Sequence, residues 1–141
     1  MAAEVLKWTA GRDARHGGNE PQAVILVPAP SRKSVTKRRG YVPSVVLAKQ
    51  VAKRLTAQGR RARVWNGLRL IDDVLDQSQL GRSARALNIA GKMRLTGAPG
   101  AGELVLLDDI VTTGATLAEA NRALSEAGLT VGLAVTFAET L

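Results

Sequence analysis

Cysteine is absent from this chain. That excludes disulfides and thiolate zinc sites, and it fits a cytoplasmic protein. Histidine occurs once, at His16. A histidine-based catalytic triad therefore has a single candidate, and its glycine-rich neighbourhood reads as a solvated loop. Aromatics make up only 3% of residues. Trp8 and Trp65 read as core packing, Phe137 lies near the end of the chain, and Tyr41 is the aromatic nearest the candidate site in sequence. No apolar run is long enough to span a membrane. Met1 to Ala10 lacks the basic start and apolar stretch of a secretory signal. Acidic residues are missing altogether between Glu20 and Asp72.

What is present suits one compact α/β domain. The 141 residues are 45% apolar, enough for a real core and above the range for disorder. The net charge of +8 is concentrated in the acid-free stretch, which carries Arg32, Lys33, Lys37, Arg38, Arg39, Lys49, Lys53, Arg54, Arg60, Arg61, Arg63 and Arg69. A block of one sign draws in anions such as pyrophosphate, a polyphosphate substrate or a nucleic acid, or else forms a solvated face that favours solubility.

Ala2 to Ala10 predicts one or two helical turns with Val5, Leu6 and Trp8 inward, followed by a loop over Gly11 to Asn19. Ala23 to Val27 predicts a buried strand, stopped by Pro28-Ala29-Pro30-Ser31, whose prolines stiffen an extended segment. Arg32 to Gly40 reads as a cationic loop. Pro43 suits the first position of a helix with Leu47, Ala48, Val51, Ala52 and Leu55 as its buried stripe, ended by Gly59. Arg63 to Ile71 predicts a strand with a turn or bulge at Asn66-Gly67. Asp72 to Gln79 reads as turn, Arg82 to Lys92 as a short helix, Met93 to Leu95 as a strand, and Thr96 to Gly102 as a loop of hairpin type. The last helix is expected from Thr116 to Ala127, burying Leu117, Ala120, Leu124 and Ala127, with Gly128 after it and a final strand over Leu129 to Ala138. Strands alternating with helices predict a doubly wound, mostly parallel sheet with helices on both faces. No internal repeat or low-complexity linker is visible.

The stretch around which this is organised is Glu103 to Ala127. Leu104 to Leu107 is a short apolar run, as for a strand buried on both faces. Asp108 and Asp109 follow at the carboxyl edge, the usual ligand side of an open α/β sheet. Thr112, Thr113, Gly114, Ala115 and Thr116 then supply hydroxyls, a tight turn and the N–H groups of a helix start, which together form a phosphate cradle. Two carboxylates accept from neighbouring hydroxyls, so a sugar phosphate satisfies both ends. The plainer alternative is a strand ending in solvated aspartates before a threonine-capped helix.

Leu104 to Thr116 resembles the phosphoribosyl-pyrophosphate (PRPP) motif of the type I phosphoribosyltransferases, without a gap. The resemblance implies that Asp108 and Asp109 hold the ribose hydroxyls and that Thr112 to Thr116 hold the 5′-phosphate. Val27-Pro28-Ala29-Pro30, Lys37-Arg38-Arg39-Gly40-Tyr41, and Asp76-Gln77-Ser78-Gln79-Leu80 with Arg82, Arg85 and Asn88 narrow it to the competence-protein F (ComF) group. The likeness runs from about Ala23 to the C-terminus. It implies a phosphoribosyltransferase-like domain over residues 23–141 behind an N-terminal segment, 1–22, of uncertain structure. The cysteine-rich zinc module usual at the start of that group is lacking, so the chain is expected to be a short member or a fragment. Val42-Pro43 departs from the polar residues usual there.

If PRPP is the ligand, pyrophosphate leaves C1 of the ribose and its charge needs stabilising. Mg²⁺ with arginine and lysine donors would do this. Pro28, Ala29, Pro30, Ser31, Arg32 and Lys33 are expected around the pyrophosphate, and Lys37, Arg38 and Arg39 in the catalytic role. Arg82 and Arg85, three apart on a helix, would share a face and clamp a phosphate. Thr112 stands where the 6-oxopurine transferases carry an aspartate thought to act as base. A threonine cannot take a proton at neutral pH, which argues against a hypoxanthine or guanine acceptor. Three functions stay open: phosphoribosyl transfer to a nitrogen acceptor; the handling of single-stranded DNA during uptake, as the ComF likeness implies; and a sensor that binds PRPP without catalysis. Relatives pair, so a homodimer is a further expectation, although no exposed apolar stripe identifies one.

Overall fold

The computed structural model describes residues 1–15, 22–31, 36–37, 39–71, 89–111 and 113–139. His16, Arg32, Lys33, Arg38, Asp76 to Leu80, Arg82, Arg85, Asn88 and Thr112 lie outside the described residues. The elements in chain order are α1 (Ala2–Arg15), β1 (Val24–Pro28), α2 (Pro43–Ala57), β2 (Ala62–Val64), β3 (Leu68–Leu70), β4 (Met93–Leu95), β5 (Glu103–Val111), α3 (Ala115–Glu126) and β6 (Val131–Glu139).

Four strands form a parallel sheet in the order β2-β1-β5-β6, and β3 and β4 make a separate antiparallel pair. Every residue of β1 is buried, as its unbroken aliphatic run requires of a central parallel strand. Successive side chains alternate between two cores. Ile25, Val27, Leu104 and Leu106 meet Ala120, Ala123 and Leu124 of α3 together with Leu68, Ile89 and Met93. Val24, Leu26, Val105 and Leu107 meet Val5 of α1 and Ala48, Val51 and Leu55 of α2. Helices therefore cover both faces of the sheet. Each fully buried aliphatic side chain contributes about 1.5–3 kcal/mol.

Several expectations need correction. Helix α1 does not stop at Ala10 but runs through Gly11 to Arg15. Its last turn is held from outside: Arg12 Nε reaches the Glu103 carboxylate at 2.8 Å, and Asp13 pairs with Arg60. The Arg12 guanidinium also stands 5.2 Å from the centre of the Trp8 ring. Thr36 and Lys37 are helical rather than loop, and the Gly40 N–H donates to the Thr36 carbonyl at 2.8 Å.

Arg63 to Ile71 is not one strand. Trp65 N–H makes a last bond to the main sheet at the Leu26 carbonyl, and the Trp65 ring then packs on Gly67 so closely that a Cβ there would lie 2.1 Å from it. Beyond that turn the chain enters the small sheet. Thr96 to Gly102 accordingly joins two different sheets and is no hairpin. Ala127, just past the end of α3, is exposed, whereas Glu119 within it is buried.

Pro43 opens α2 as expected, and Gly59 and Gly128, at φ of 78° and 76°, follow the ends of α2 and α3.

Candidate functional site

The sheet order creates a crevice. From β1 the chain crosses through α2 on one face to β2; from β5 it crosses through α3 on the opposite face to β6. Two right-handed crossovers leaving in opposite directions part at β1 and β5. The carboxyl ends of those two strands are thus the switch point at which open α/β sheets bind ligands.

Pro28, the end of β1, lies opposite Leu107, and the Ala29 N–H donates to the Leu107 carbonyl at 2.7 Å. This places Ala29 beside the start of the acidic pair. Ala29 is buried, and Pro30 and Ser31 are half-buried. Ser44, in the first turn of α2, donates from Oγ to the Ala29 carbonyl at 2.6 Å in a buried bond. The proline segment is therefore pinned to a helix start. Sequence reasoning missed Ser44, whose only signal is a small hydroxyl residue after Pro43.

Asp108 and Asp109 do not follow the strand; they belong to it, because β6 pairs onward with β5. Asp108 faces Thr136, Ile110 faces Ala138 and Val111 faces Glu139. Pairing with a neighbour overrides the low strand preference of aspartate. This two-stranded ribbon runs past the end of β1. Thr136 stands beside Asp108, and the next residue, Phe137, is 70% exposed. Neither was evident from sequence, since the register of β6 leaves no local trace.

Asp108 is only 7% exposed, and Asp109 is half-buried. The Asp109 N–H donates to Asp108 Oδ1 at 2.9 Å. Burial, reinforced by the Asp109 side chain, pushes the Asp108 carboxyl up to about 7; the bond from the Asp109 N–H works the other way. Among the described residues neither carboxylate has an ion-pair partner. The pair offers oxygen acceptors to a ligand, with no cationic lock among the described residues that a ligand would have to break.

Gly114 begins α3 in the left-handed conformation, φ 75°, and a Cβ there would meet open space. No side chain of the N-cap residue closes the helix start, and its first turn holds no acid. Thr113 is exposed, and its Oγ1 accepts from the Ala115 N–H at 3.3 Å. Ala115 and Thr116 are half-buried. A helix start with positive dipole and no anion of its own is suited to a phosphate. Below it, a cavity of about 320 Å³ is lined by Ile89, Ala90, Ala115, Ala118, Glu119 and Arg122, beside the loop rather than over the acidic pair.

Lys37 and Arg39 are exposed, and no hydrogen bond or ion pair joins them to Asp108 or Asp109. The structure thus sets Pro28 and Ala29 beside the start of the acidic pair, with Thr113 to Thr116 following the same strand in the chain, and joins neither Lys37 nor Arg39 to the pair by a hydrogen bond or ion pair.

Glu119 was also missed. Its carboxylate accepts from the Met93 N–H at 3.0 Å and from Arg122 at 2.7 Å. The Arg122 hydrogen bond holds it down to about 2, against the burial that opposes this. It ties α3 to the small sheet. The Glu119-Arg122 spacing of three was the available signal.

Among the described residues no cluster of three acidic, histidine or cysteine side chains gathers to hold a metal, and no helix is long and apolar enough to cross a membrane. Compared with known proteins, the chain matches no family model and no curated sequence.

Proposed function

We propose that this chain binds PRPP and transfers its phosphoribosyl group to a nitrogen acceptor, releasing pyrophosphate, on a fold of the type I phosphoribosyltransferase kind. The observation that carries this reading is the meeting of an acidic couple, without an ion-pair partner among the described residues, with an anion-free helix start at the switch point of the sheet. A phosphate at one end and a diol at the other need that combination.

In this reading the N–H groups and hydroxyls of Thr112 to Thr116 hold the 5′-phosphate. Asp108 and Asp109 accept from the ribose hydroxyls, fixing the sugar. Ala29 to Ser31, continuing into Arg32 and Lys33, face the pyrophosphate. Lys37, Arg38 and Arg39 neutralise its growing charge as the bond at C1 breaks, with Arg82 and Arg85 as a clamp. Fixed donors aimed at developing charge lower the barrier by electrostatic stabilisation, commonly the main source of rate enhancement in such reactions.

Mg²⁺ suits this donor set as a passenger of the substrate. The hard carboxylate oxygens of Asp108 and Asp109 match its preference, but two acids make no cage, and Mg²⁺ is ordinarily held by one or two carboxylates and by phosphate oxygens. When bound it would supply charge neutralisation on the pyrophosphate.

The test is calorimetric titration of PRPP with Mg²⁺ into the chain and into the Asp108→Asn/Asp109→Asn variant. Binding by the parent that is lost in a folded variant is the expected result. Equal binding by both sinks the assignment, and binding without pyrophosphate release across a panel of amine and ring-nitrogen acceptors reduces it to a sensor.

A further inference from the structure

A cavity of about 270 Å³ lies where the start of α1, one face of α2 and the far end of β6 meet. None of Pro28 to Ser31, Asp108, Asp109 or Thr113 to Thr116 lines it. Its apolar walls are Met1, Ala2, Leu47, Val51 and Phe137. Alternation along β6 accounts for Phe137. Leu133 and Val135 pack on the core beneath α1 and α2, and Phe137 is the next residue on that face. The β5–β6 ribbon has passed the end of β1 there, and the ring is left 70% exposed.

Two polar residues complete the lining, Gln50 and Arg54. They stand four apart on α2 and so share a face, with Leu47 and Val51 in the same stripe. Both are exposed, and neither has a hydrogen bond or ion pair among the described residues. Glu4, one turn from Met1, is paired with the Met1 ammonium. Asp13, Glu103, Glu119 and Glu126 are paired with Arg60, Arg12 and Arg122.

We infer that this cavity binds a small aromatic carboxylate, its ring against Phe137 and Leu47 and its carboxylate on Arg54 and Gln50. Charge complementarity sets the head group. A guanidinium donates in a fork that matches a carboxylate, and the Gln50 amide donates a further bond. The volume sets the body: it falls just below the usual range of ligand pockets, which suits one or two rings. Offset or edge-on packing against Phe137 favours a flat ring over an alkyl chain. This site is separate from the sugar-phosphate site and does not rest on that reading.

The experiment is calorimetric titration of 1-naphthoate at neutral pH. 1-Naphthalenemethanol serves as the uncharged probe of like shape, and decanoate as the alkyl one. The proteins are the parent, Arg54→Gln, Phe137→Ser and Lys53→Gln. Lys53 is an exposed cation of α2 that does not line the cavity. Circular dichroism melts establish that all are folded. The parent is expected to bind naphthoate one to one and to prefer it to the alcohol by about tenfold or more. Arg54→Gln is expected to lose that preference while keeping its affinity for the alcohol, a split that a merely structural role would not produce. Phe137→Ser is expected to weaken both ligands alike, and Lys53→Gln to match the parent.

No saturable binding of naphthoate by the parent would overturn the inference. Equal affinity for the alcohol, or tighter binding of decanoate, would overturn the carboxylate or the ring. Equal losses in Arg54→Gln and Lys53→Gln would mean that overall charge attracts the probe. An unchanged Arg54→Gln variant would also overturn the inference, and would fit an arginine held by an acid outside the described residues. A dimer in sedimentation velocity that Phe137→Ser dissociates would assign the face to a second copy of the chain instead.

Discussion

Asp108 is costly as a residue and informative for that reason. A carboxyl that is 7% exposed, with no ion-pair partner among the described residues, resists ionisation, and burial together with the Asp109 side chain raises its value to about 7 from the usual 3.8. The native state then holds a proton that the unfolded chain has released. Its contribution to stability is whole below pH 3.8 and is lost as pH rises through about 7. Asp108→Asn keeps an acceptor for the Asp109 N–H but has no charge to desolvate. The variant is expected to be more stable than the parent at pH 8 by about 1–2 kcal/mol, and equal to it near pH 4, by urea denaturation at the two pH values. PRPP affinity in the parent should rise from pH 6 to pH 8, as Asp108 ionises into a better acceptor for the ribose diol; calorimetry at both pH values checks this.

At the scale of elements, two single bonds hold the site's parts in place. Ser44→Ala leaves the buried Ala29 carbonyl without its 2.6 Å donor. An unsatisfied buried acceptor costs about 1–3 kcal/mol, and amide exchange should quicken at Ala29 and the first turn of α2 ahead of the rest of the sheet. Glu119→Gln weakens the link between α3 and the small sheet. It is expected to cost about 1–3 kcal/mol in thermal or denaturant melts and to raise exchange at Met93 before that of β1.

These elements also show what was legible in the sequence. The buried run Val24 to Val27, the helix opened by Pro43 and the helix after Gly114 are periodic patterns with caps, and they stand where expected. The acidic pair and the glycine turn before a helix were legible as a local pattern because their spacing is local. The split between β2 and β3 was not, since it depends on the Trp65 ring packing on Gly67. The strand character of Asp108 to Val111 was not, since it comes from β6. Burial of Glu119 ran against the rule that a charged residue on an amphipathic helix faces water, and only its Arg122 partner hinted otherwise.

At the scale of the whole molecule, Asp108 and Glu119 pull the pH profile in opposite directions. The carboxylate of Glu119, held down to about 2 from 4.5, supplies stability that is present above pH 4.5 and lost as pH falls through about 2. With Asp108 eroding stability on the other side, the pair places the maximum in mildly acidic solution. A denaturation series from pH 3 to pH 8 should show it there, and the maximum should broaden toward neutral pH in Asp108→Asn.

The central pairing of the sheet joins Ile25 to Leu104, across more than half the chain. Until β5 exists, β1 has only β2 as a sheet neighbour and only one of its two faces covered by a helix. A chain emerging from the ribosome would therefore carry an apolar strand with an open flank through most of its synthesis, a state prone to wrong pairing. Long-range closure of this kind also slows folding. The crevice at the carboxyl edge would be among the last features to form, because it needs β5 beside β1 and a completed α3.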